Sequence, residues 1–394
     1  MIDRREILDI ASRLSLNPHV VEKDYVLGWM LAGIYANPEL RESWVFKGGT
    51  CLKKCFFETY RFSEDLDFTL LDPAHIDEIF LKRVFAEIGQ WIYDETGILA
   101  PANMQEFDIY SNPRGSLSCQ GKVSYRGPVS PQGKTIPRIK IDLIADERVV
   151  MPPVFSNVYH PYTDEPTGGI QALTYTYEEA FGEKVRALAE RTRPRDLYDV
   201  INLFRNAAER PAATVLMNIL RLKCEFKDIA VPCLGDLIVH RPDLEASWQN
   251  MLGHQLPALL SADSFWDELP AFFAWLEGGV EPSIPAAYAT GFDETVFRGR
   301  SFNLPLKGPV LSSLEIIRFG ASNRLCIELD YLDEKGTRSK RLVEPYSLRK
   351  TKLGDILLHI HDLDKNAHRS LRLDRIEGAR ITTQTYIPRY QIEL

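Results

Sequence analysis

The 394-residue chain has no apolar run approaching the roughly 18–20 residues that a membrane-spanning helix needs, and its mean hydropathy is −0.20. A bundle of membrane-spanning helices is thereby excluded. The first ten residues carry acidic side chains and no apolar stretch, so they are not expected to act as a secretion signal. Six cysteines are present (Cys51, Cys55, Cys119, Cys224, Cys233, Cys326), with no CxxC pair among them. That spacing supports neither a disulfide framework nor a thiolate zinc site, and buried free thiols in a reducing cytoplasm are the expectation. Internal repeats, low-complexity tracts and a convincing helix-turn-helix are also missing. What remains is a chain that is 45% hydrophobic, long enough for a sizeable core and for two or three domains.

Basic charge is scarce overall but unevenly spread. The net charge is −8, yet residues 298–394 hold 18 Lys and Arg against 12 Asp and Glu, a balance of +6, which leaves −14 for the remainder. Opposite signs in the two parts point to separate domains, and the basic one is suited to nucleic acid, although solubility alone accounts for so modest an excess.

Apolar spacing predicts helices over residues 4–37, a short strand at Trp44–Phe46, a helix from Cys51 to Tyr60, a strand at Leu66–Leu70 and a helix over 75–96. Strict alternation predicts a strand from Pro137 to Ile144, with Ile139, Ile141 and Leu143 on one face and Lys140 and Asp142 on the other. Thr176-Tyr177-Glu178-Glu179 is a capping box that starts a helix running to about Arg191. Pro194 opens the next helix, with Leu197, Val200, Ile201 and Phe204 as its stripe. Helices continue to about residue 280, where Trp266, Phe272, Phe273 and Trp275 read as core. Beyond residue 290 the pattern becomes β, with a hairpin turn at Asp333-Glu334-Lys335-Gly336. The implied division is 1–155, 156–285 and 286–394, in an α+β chain.

The chemistry concentrates in two short stretches, Lys47-Gly48-Gly49-Thr50 and Arg61-Phe62-Ser63-Glu64-Asp65-Leu66-Asp67. A glycine pair lets backbone approach a phosphate without a Cβ in the way. Two aspartates two apart on a strand share a face, and such a pair repels unless a hard divalent cation lies between. Nucleotidyl transfer needs a phosphate cradle, a cation site, a charge to offset pyrophosphate and an acceptor hydroxyl that is oriented or activated. Gly48, Gly49 and Thr50 supply the cradle, Asp65 and Asp67 the Mg²⁺ or Mn²⁺ site, and Asp142 a third carboxylate. Lys184 is placed to reach the triphosphate, with Lys47, Ser63, Lys140 and Arg195 as further nucleotide-binding candidates. Asp196 and Asp199 lie three apart on one helix face, and either orients Lys184, Arg195 or the acceptor. Asp196 also sits where an acidic residue stabilises a helix N-terminus, which makes Asp199 the better catalytic candidate. The arginines of residues 186–195 are part solvated helix face and part candidate RNA contacts. His359 and His361 share a strand face, but no third ligand is in sight and a structural role is expected.

These segments occur in order with Val21-Glu22-Lys23-Asp24-Tyr25-Val26-Leu27, Lys140-Ile141-Asp142, Glu183-Lys184-Val185-Arg186-Ala187-Leu188 and Arg195-Asp196-Leu197-Tyr198-Asp199. The set resembles the AbiEii/AbiGii-type nucleotidyltransferase toxins of type IV toxin–antitoxin systems, within the DNA polymerase β-like superfamily, over roughly residues 5–275. The resemblance implies an NTP donor, metal held by Asp65 and Asp67 with Asp142 nearby, an essential lysine at Lys184 and a catalytic role in the Arg195–Asp199 segment. It also implies an antitoxin encoded alongside and, as in some similar members, tRNA as the acceptor. The gap between Gly49 and Asp65 is longer than in the superfamily at large, as is typical of the toxins. Residues Glu315–Arg318, Arg341–Leu348 and Leu371–Ile376 resemble a WYL domain, a strongly bent β module. Ile356-Leu357-Leu358 stands where the Trp-Tyr-Leu of the name is expected, which leaves Arg369, Arg372 and Arg375 as candidate phosphate contacts. Two alternatives stand beside the RNA-modifying reading: transfer of AMP to protein, and a regulator that binds nucleotide without turning it over.

Overall fold

The computed structural model describes residues 2–57, 60–112, 114–130, 136–282, 294–297 and 308–394, with the side chains of 308–312 left aside. The chain forms two compact units, one of residues 1–200 and 211–256, the other of residues 201–210 and 257–394.

The first unit is built on a seven-stranded sheet of order β3-β4-β5-β2-β1-β7-β6. Its strands are β1 (Trp44–Lys47), β2 (Asp65–Leu70), β3 (Gln105–Ser111), β4 (Leu117–Ser124), β5 (Arg138–Ile144), β6 (Val154–Val158) and β7 (Ile170–Thr174). β1 is antiparallel to β2 and parallel to β7, and β2 is parallel to β5. The sheet therefore continues past residue 155 into β6 and β7. Alternation decides which face each strand buries: Leu66 and Phe68 of β2 and Ile139, Ile141 and Leu143 of β5 are fully buried, whereas Asp65, Asp67 and Asp142 look out from the other face, half-buried.

Helix α1 (Arg4–Leu14) precedes α2 (Pro18–Ala36), which starts on an Asn17 cap with Pro18 in its first turn. α2 is apolar nearly all round, and it is correspondingly buried, packing on β7 and on α4 (Glu78–Thr96). A four-residue helical turn, α3 (Gly48–Cys51), follows β1 directly and widens into a π-type turn over Leu52–Phe56, where the Phe57 N–H reaches the Leu52 carbonyl at 2.8 Å. The helix expected to run to Tyr60 thus ends at Phe56, since Phe57 is already extended. Residues 58 and 59 lie outside the described ones.

α5 (Tyr177–Arg191) starts where expected, with Thr176 Oγ1 accepting from the Glu179 N–H at 3.2 Å. The reciprocal half of the capping box is not made. The Glu179 carboxylate instead accepts from the backbone N–H groups of Val150 and Met151 and pairs with Lys223 at 2.6 Å. Tertiary partners have captured a side chain that local spacing assigned to its own helix. α6 (Pro194–Arg205) carries the expected stripe, with Leu197, Val200 and Ile201 fully buried. α7 (Ala213–Lys227) packs on α5 at Gly182, where a Cβ would come within 2.7 Å of Ile219. Two further helices, α8 (Leu234–Ile238) and α9 (Arg241–Leu252), complete this unit.

In the second unit, α10 (Asp263–Trp266) and α11 (Leu269–Leu276) bury Trp266, Phe272, Phe273 and Trp275 as expected. The six-stranded sheet runs β12-β11-β10-β9-β13, with β8 (Glu294–Val296) against β10. Its strands are β9 (Leu325–Leu332), β10 (Arg338–Thr351), β11 (Ile356–Asp362), β12 (Ala367–Arg372) and β13 (Ile376–Thr385). The register of β10 against β11 shifts between Pro345 and Ser347, the kind of bulge that accommodates a residue with no N–H to donate. The sequence pattern misses one element here: α12 (Gly308–Ser322) packs Leu314 and Ile317 into the core with Ile327, Leu329, Val343, Leu358 and Ile360. The expected boundary between residues 285 and 286 lies outside the described residues.

Candidate active site

The site is assembled by strand register. β2 and β5 run parallel with Asp65 opposite Lys140 and Asp67 opposite Asp142, and β1 and β2 run antiparallel with Lys47 opposite Asp67. Two carboxylates therefore stand side by side on neighbouring strands, with Gln120 of β4 donating to Asp142 at 3.2 Å. Their mutual repulsion adds to the cost of burial. Burial first, and Asp142 second, push the Asp67 carboxyl up to about 6, and burial also raises Asp65. An arrangement of this kind is electrostatically incomplete without a cation.

The glycine turn faces this pair. Gly48 has φ +82°, a left-handed conformation, and a Cβ there would overlap the Asp67 carboxylate. Gly49 is equally closed, by the Arg61 guanidinium. Thr50 ties the turn down by donating its hydroxyl to the Asp65 carbonyl at 2.5 Å, and Ser63 lies buried beside Gly49. Gly48→Ala is therefore expected to lower transfer activity at least about 100-fold and to destabilise the fold by about 1–3 kcal/mol, from left-handed strain plus the clash. Thermal unfolding beside an activity assay checks it.

On the helical side, α5 presents Lys184 and α6 presents Asp196 and Asp199. Lys184 pairs with Asp199 at 2.8 Å and lies 3.8 Å from Asp196. Asp199 is saturated: Arg61 donates to both its oxygens at 2.7 Å and the Tyr60 hydroxyl adds a bond at 2.9 Å. Burial alone would raise its pKa, but the Arg61 guanidinium and the Lys184 ammonium hold it well below the usual carboxylate range. Asp196 is gripped by Arg191 at 2.7 and 2.8 Å. Arg195 is half-buried and donates to the Met251 carbonyl at 3.4 Å, and Lys140 is exposed beside Asp65.

Residues 29–278, more than half the chain, match the family model of the nucleotidyl transferase AbiEii toxin, type IV toxin–antitoxin system. The chain belongs to the AbiEii nucleotidyltransferase toxin family. It is a nucleotidyltransferase. Residues 312–381 match the WYL domain. Among solved structures, the chain is similar to MenT4, a nucleotidyltransferase toxin from Mycobacterium tuberculosis, at 18% identity over 72% of this chain and 91% of that one, with a TM-score of 0.44. It also matches the proteasome accessory factor B/C of Arthrobacter aurescens at 14% identity, over 79% of this chain and 27% of that one, with a TM-score of 0.18. No curated protein matches.

In this AbiEii chain, several residues that sequence reasoning passed over carry the frame of the site. Arg61 was visible only as part of a motif, yet it is 2% exposed and joins the glycine turn, Asp199 and the Gln255 side chain, which accepts at 3.2 Å. Lys23 pairs with Glu64 at 2.8 Å, just before Asp65, and Asp24 holds the buried Lys54 at 2.7 Å. Lys47 pairs with Glu147, which also accepts from Thr69 at 3.0 Å and Tyr175 at 3.2 Å. Glu147 has no sequence signal beyond lying three residues past β5.

Among the described residues, no set of three or more His, Cys, Asp or Glu side chains is gathered closely enough to hold a metal ion. The donor set still suits a hard cation of the Mg²⁺ type, which commonly takes one or two carboxylates and completes its shell with water and phosphate oxygens. In the WYL region, His359 contacts Glu294 at 3.1 Å and His368 at 3.3 Å, while His361 meets Asn366 at 3.3 Å. Arg372 pairs with Asp355 and Asp374, Arg375 pairs with Glu334, and Arg369 is exposed. Five cysteines are buried as expected. Cys233 is the exception, exposed at the start of α8. No described helix is long and apolar enough to cross a membrane.

Proposed function

We propose that this toxin transfers a nucleotide from an NTP to a hydroxyl of RNA, with tRNA the favoured acceptor, in the cytoplasm and under the restraint of a cognate antitoxin. The observation that carries the reading is the register that sets Asp67 beside Asp142 and opposite the bare backbone of Gly48. Asp65, Asp67 and Asp142 are the carboxylates that would serve the divalent cation, Mg²⁺ or Mn²⁺, with the neighbouring Asp67 and Asp142 as its ligands in the present arrangement and Asp65 alongside. When bound, the cation neutralises the carboxylates and offsets charge on the phosphates.

The chain's own groups do the rest. Gly48, Gly49 and Thr50 admit the triphosphate against backbone N–H groups, with Ser63 beside the turn. Lys184 offsets charge as pyrophosphate leaves, and Asp199 fixes the direction of its ammonium. A carboxylate that already accepts from Arg61, Tyr60 and Lys184 has little capacity to take a proton, so Asp199 serves as a positioning residue and not as the base. Asp196 holds Arg191 in the same way. Lys140, exposed one strand from Asp65, and the half-buried Arg195 are placed for the acceptor's phosphates or the incoming nucleotide. The acceptor oxygen attacks the α-phosphorus, the bond to the β-phosphate breaks, and pyrophosphate departs.

The test is label transfer from each α-labelled NTP in turn to total tRNA, with bulk protein as a parallel acceptor. Label should appear in RNA with one preferred NTP. Lys184→Met should lower the rate at least about 100-fold, mainly through kcat. Label in protein and not RNA would move the acceptor assignment to AMP-type protein modification. No label in either would favour a nucleotide-binding regulator.

A further inference from the structure

Lys47 and Asp67 are directly opposed across β1 and β2, carry opposite charges and share a face, yet no ion pair joins them. The Lys47 ammonium pairs instead with Glu147, although its charge still acts on Asp67. Both partners of that pair are buried, with side-chain exposures of 7% and 8%. The segment that brings Glu147 there is fastened on both sides. Asp146 is held by Arg114 and accepts from Asn112 at 2.8 Å. The Asp146 carbonyl accepts from Lys227 at 2.8 Å, and the Arg148 carbonyl accepts from Lys223 at 3.2 Å. The N–H groups of Val150 and Met151 are fixed by Glu179. Five residues, from the β3–β4 turn, α7 and α5, thus hold a short segment whose inward carboxylate pairs with Lys47 and lies 3.9 Å from the Arg186 guanidinium.

We infer that Glu147 is a positioning residue that holds Lys47 away from Asp67 and so keeps the Asp67–Asp142 pair available to a divalent cation. The inference rests on the reading of those carboxylates as the cation site. A buried ammonium does not remain unpaired, because the cost of leaving one buried charge alone exceeds that of most rearrangements. Besides Glu147, the Lys47 charge acts on Glu183 and on its cross-strand neighbour Asp67; Glu183 is already paired with Arg186 and Lys223, which leaves Asp67 as the carboxylate open to Lys47 when Glu147 is lost. A lysine bound there is an internal competitor for the metal. Thr69 and Tyr175, which donate to Glu147, keep its carboxylate aimed at Lys47 and not at the site.

The test is calorimetric titration of the full chain with Mn²⁺, without nucleotide turnover, alongside thermal unfolding of each variant. Glu147→Gln keeps the size and acceptor oxygen of the side chain but loses its charge. It is expected to weaken Mn²⁺ binding roughly tenfold. Glu147→Asp should recover part of that loss. The double variant Glu147→Gln/Lys47→Met removes the competitor and should return to within about threefold of wild type. Lys47→Met alone should bind Mn²⁺ at least as well as wild type, which keeps the idea testable if Glu147→Gln does not fold. Wild-type affinity in folded Glu147→Gln would overturn the inference. So would a double variant as weak as the single one, or a tenfold loss in Lys47→Met. If the wild-type chain and Asp67→Asn titrate identically, the cation-site reading itself fails, independently of Glu147.

Discussion

Asp67→Asn is expected to abolish nucleotidyl transfer, by at least about 10³-fold, while making the protein more stable at neutral pH and above. The sign follows from the raised carboxyl. Asp67 titrates at about 6 in the folded chain against an ordinary 3.8, so the folded state favours the protonated form. The stability this confers is complete below the unfolded value and is lost as pH rises through about 6. Above that pH the wild-type chain carries an ionised Asp67 against Asp142 at a net cost. The neutral amide removes that cost. One pKa unit is worth about 1.4 kcal/mol, and solvent access to the half-buried side chain brings the expected gain at pH 8 to about 1–2 kcal/mol. Added Mn²⁺ should raise the melting temperature of the wild-type chain and leave that of Asp67→Asn nearly unchanged. Unfolding curves at pH 5 and pH 8, with and without Mn²⁺, check all of this. A variant that is less stable than wild type at pH 8 would mean that Asp67 is a structural partner and not a site residue.

Asp199→Asn is expected to be costly in the opposite sense. Its carboxylate is fully buried and takes both nitrogens of the Arg61 fork as well as Lys184 and Tyr60. Removing one partner of a buried ion pair leaves the others uncompensated, and about 3–5 kcal/mol of stability should be lost. Because the folded pKa is depressed, the contribution is present above the unfolded value of 3.8 and is lost only as pH falls towards the low folded value. The penalty should therefore be flat between pH 5 and pH 8. Activity should fall with it, since Lys184 loses its anchor, and a falling kcat with little change in KM would mark a positioning role. A variant that folds as well as wild type yet loses all activity would instead make Asp199 the base.

The parts of the site that follow strand parity were legible in the sequence. Alternation alone places Asp65 and Asp67 on one face and assigns Lys140 and Asp142 to the polar side of their strand, as the register has them. The glycine turn, the cap at Thr176 and the stripe of α6 rest on equally local rules. What was illegible depends on distance in the chain. Arg61 meets Asp199 across 138 positions and Lys47 meets Glu147 across 100, and no spacing rule links such pairs. The same holds for Glu179, whose local capping role lost to Lys223 and to two backbone N–H groups. α12 escaped for another reason. A helix that is apolar on most sides and flanked by strands reads as one more buried β segment, since short apolar runs do not distinguish the two by periodicity.

The proposed reaction transfers a nucleotide, and not a phosphoryl group, to RNA. The most direct measurement supplies the preferred NTP labelled at the α- or at the γ-phosphorus, with Mg²⁺ and total tRNA, to wild-type protein and to Asp67→Asn. The expected result is α-label retained in RNA, γ-label released as pyrophosphate, and neither event in the variant. Label from the γ-position in RNA, or α-label incorporated equally by Asp67→Asn, would contradict it.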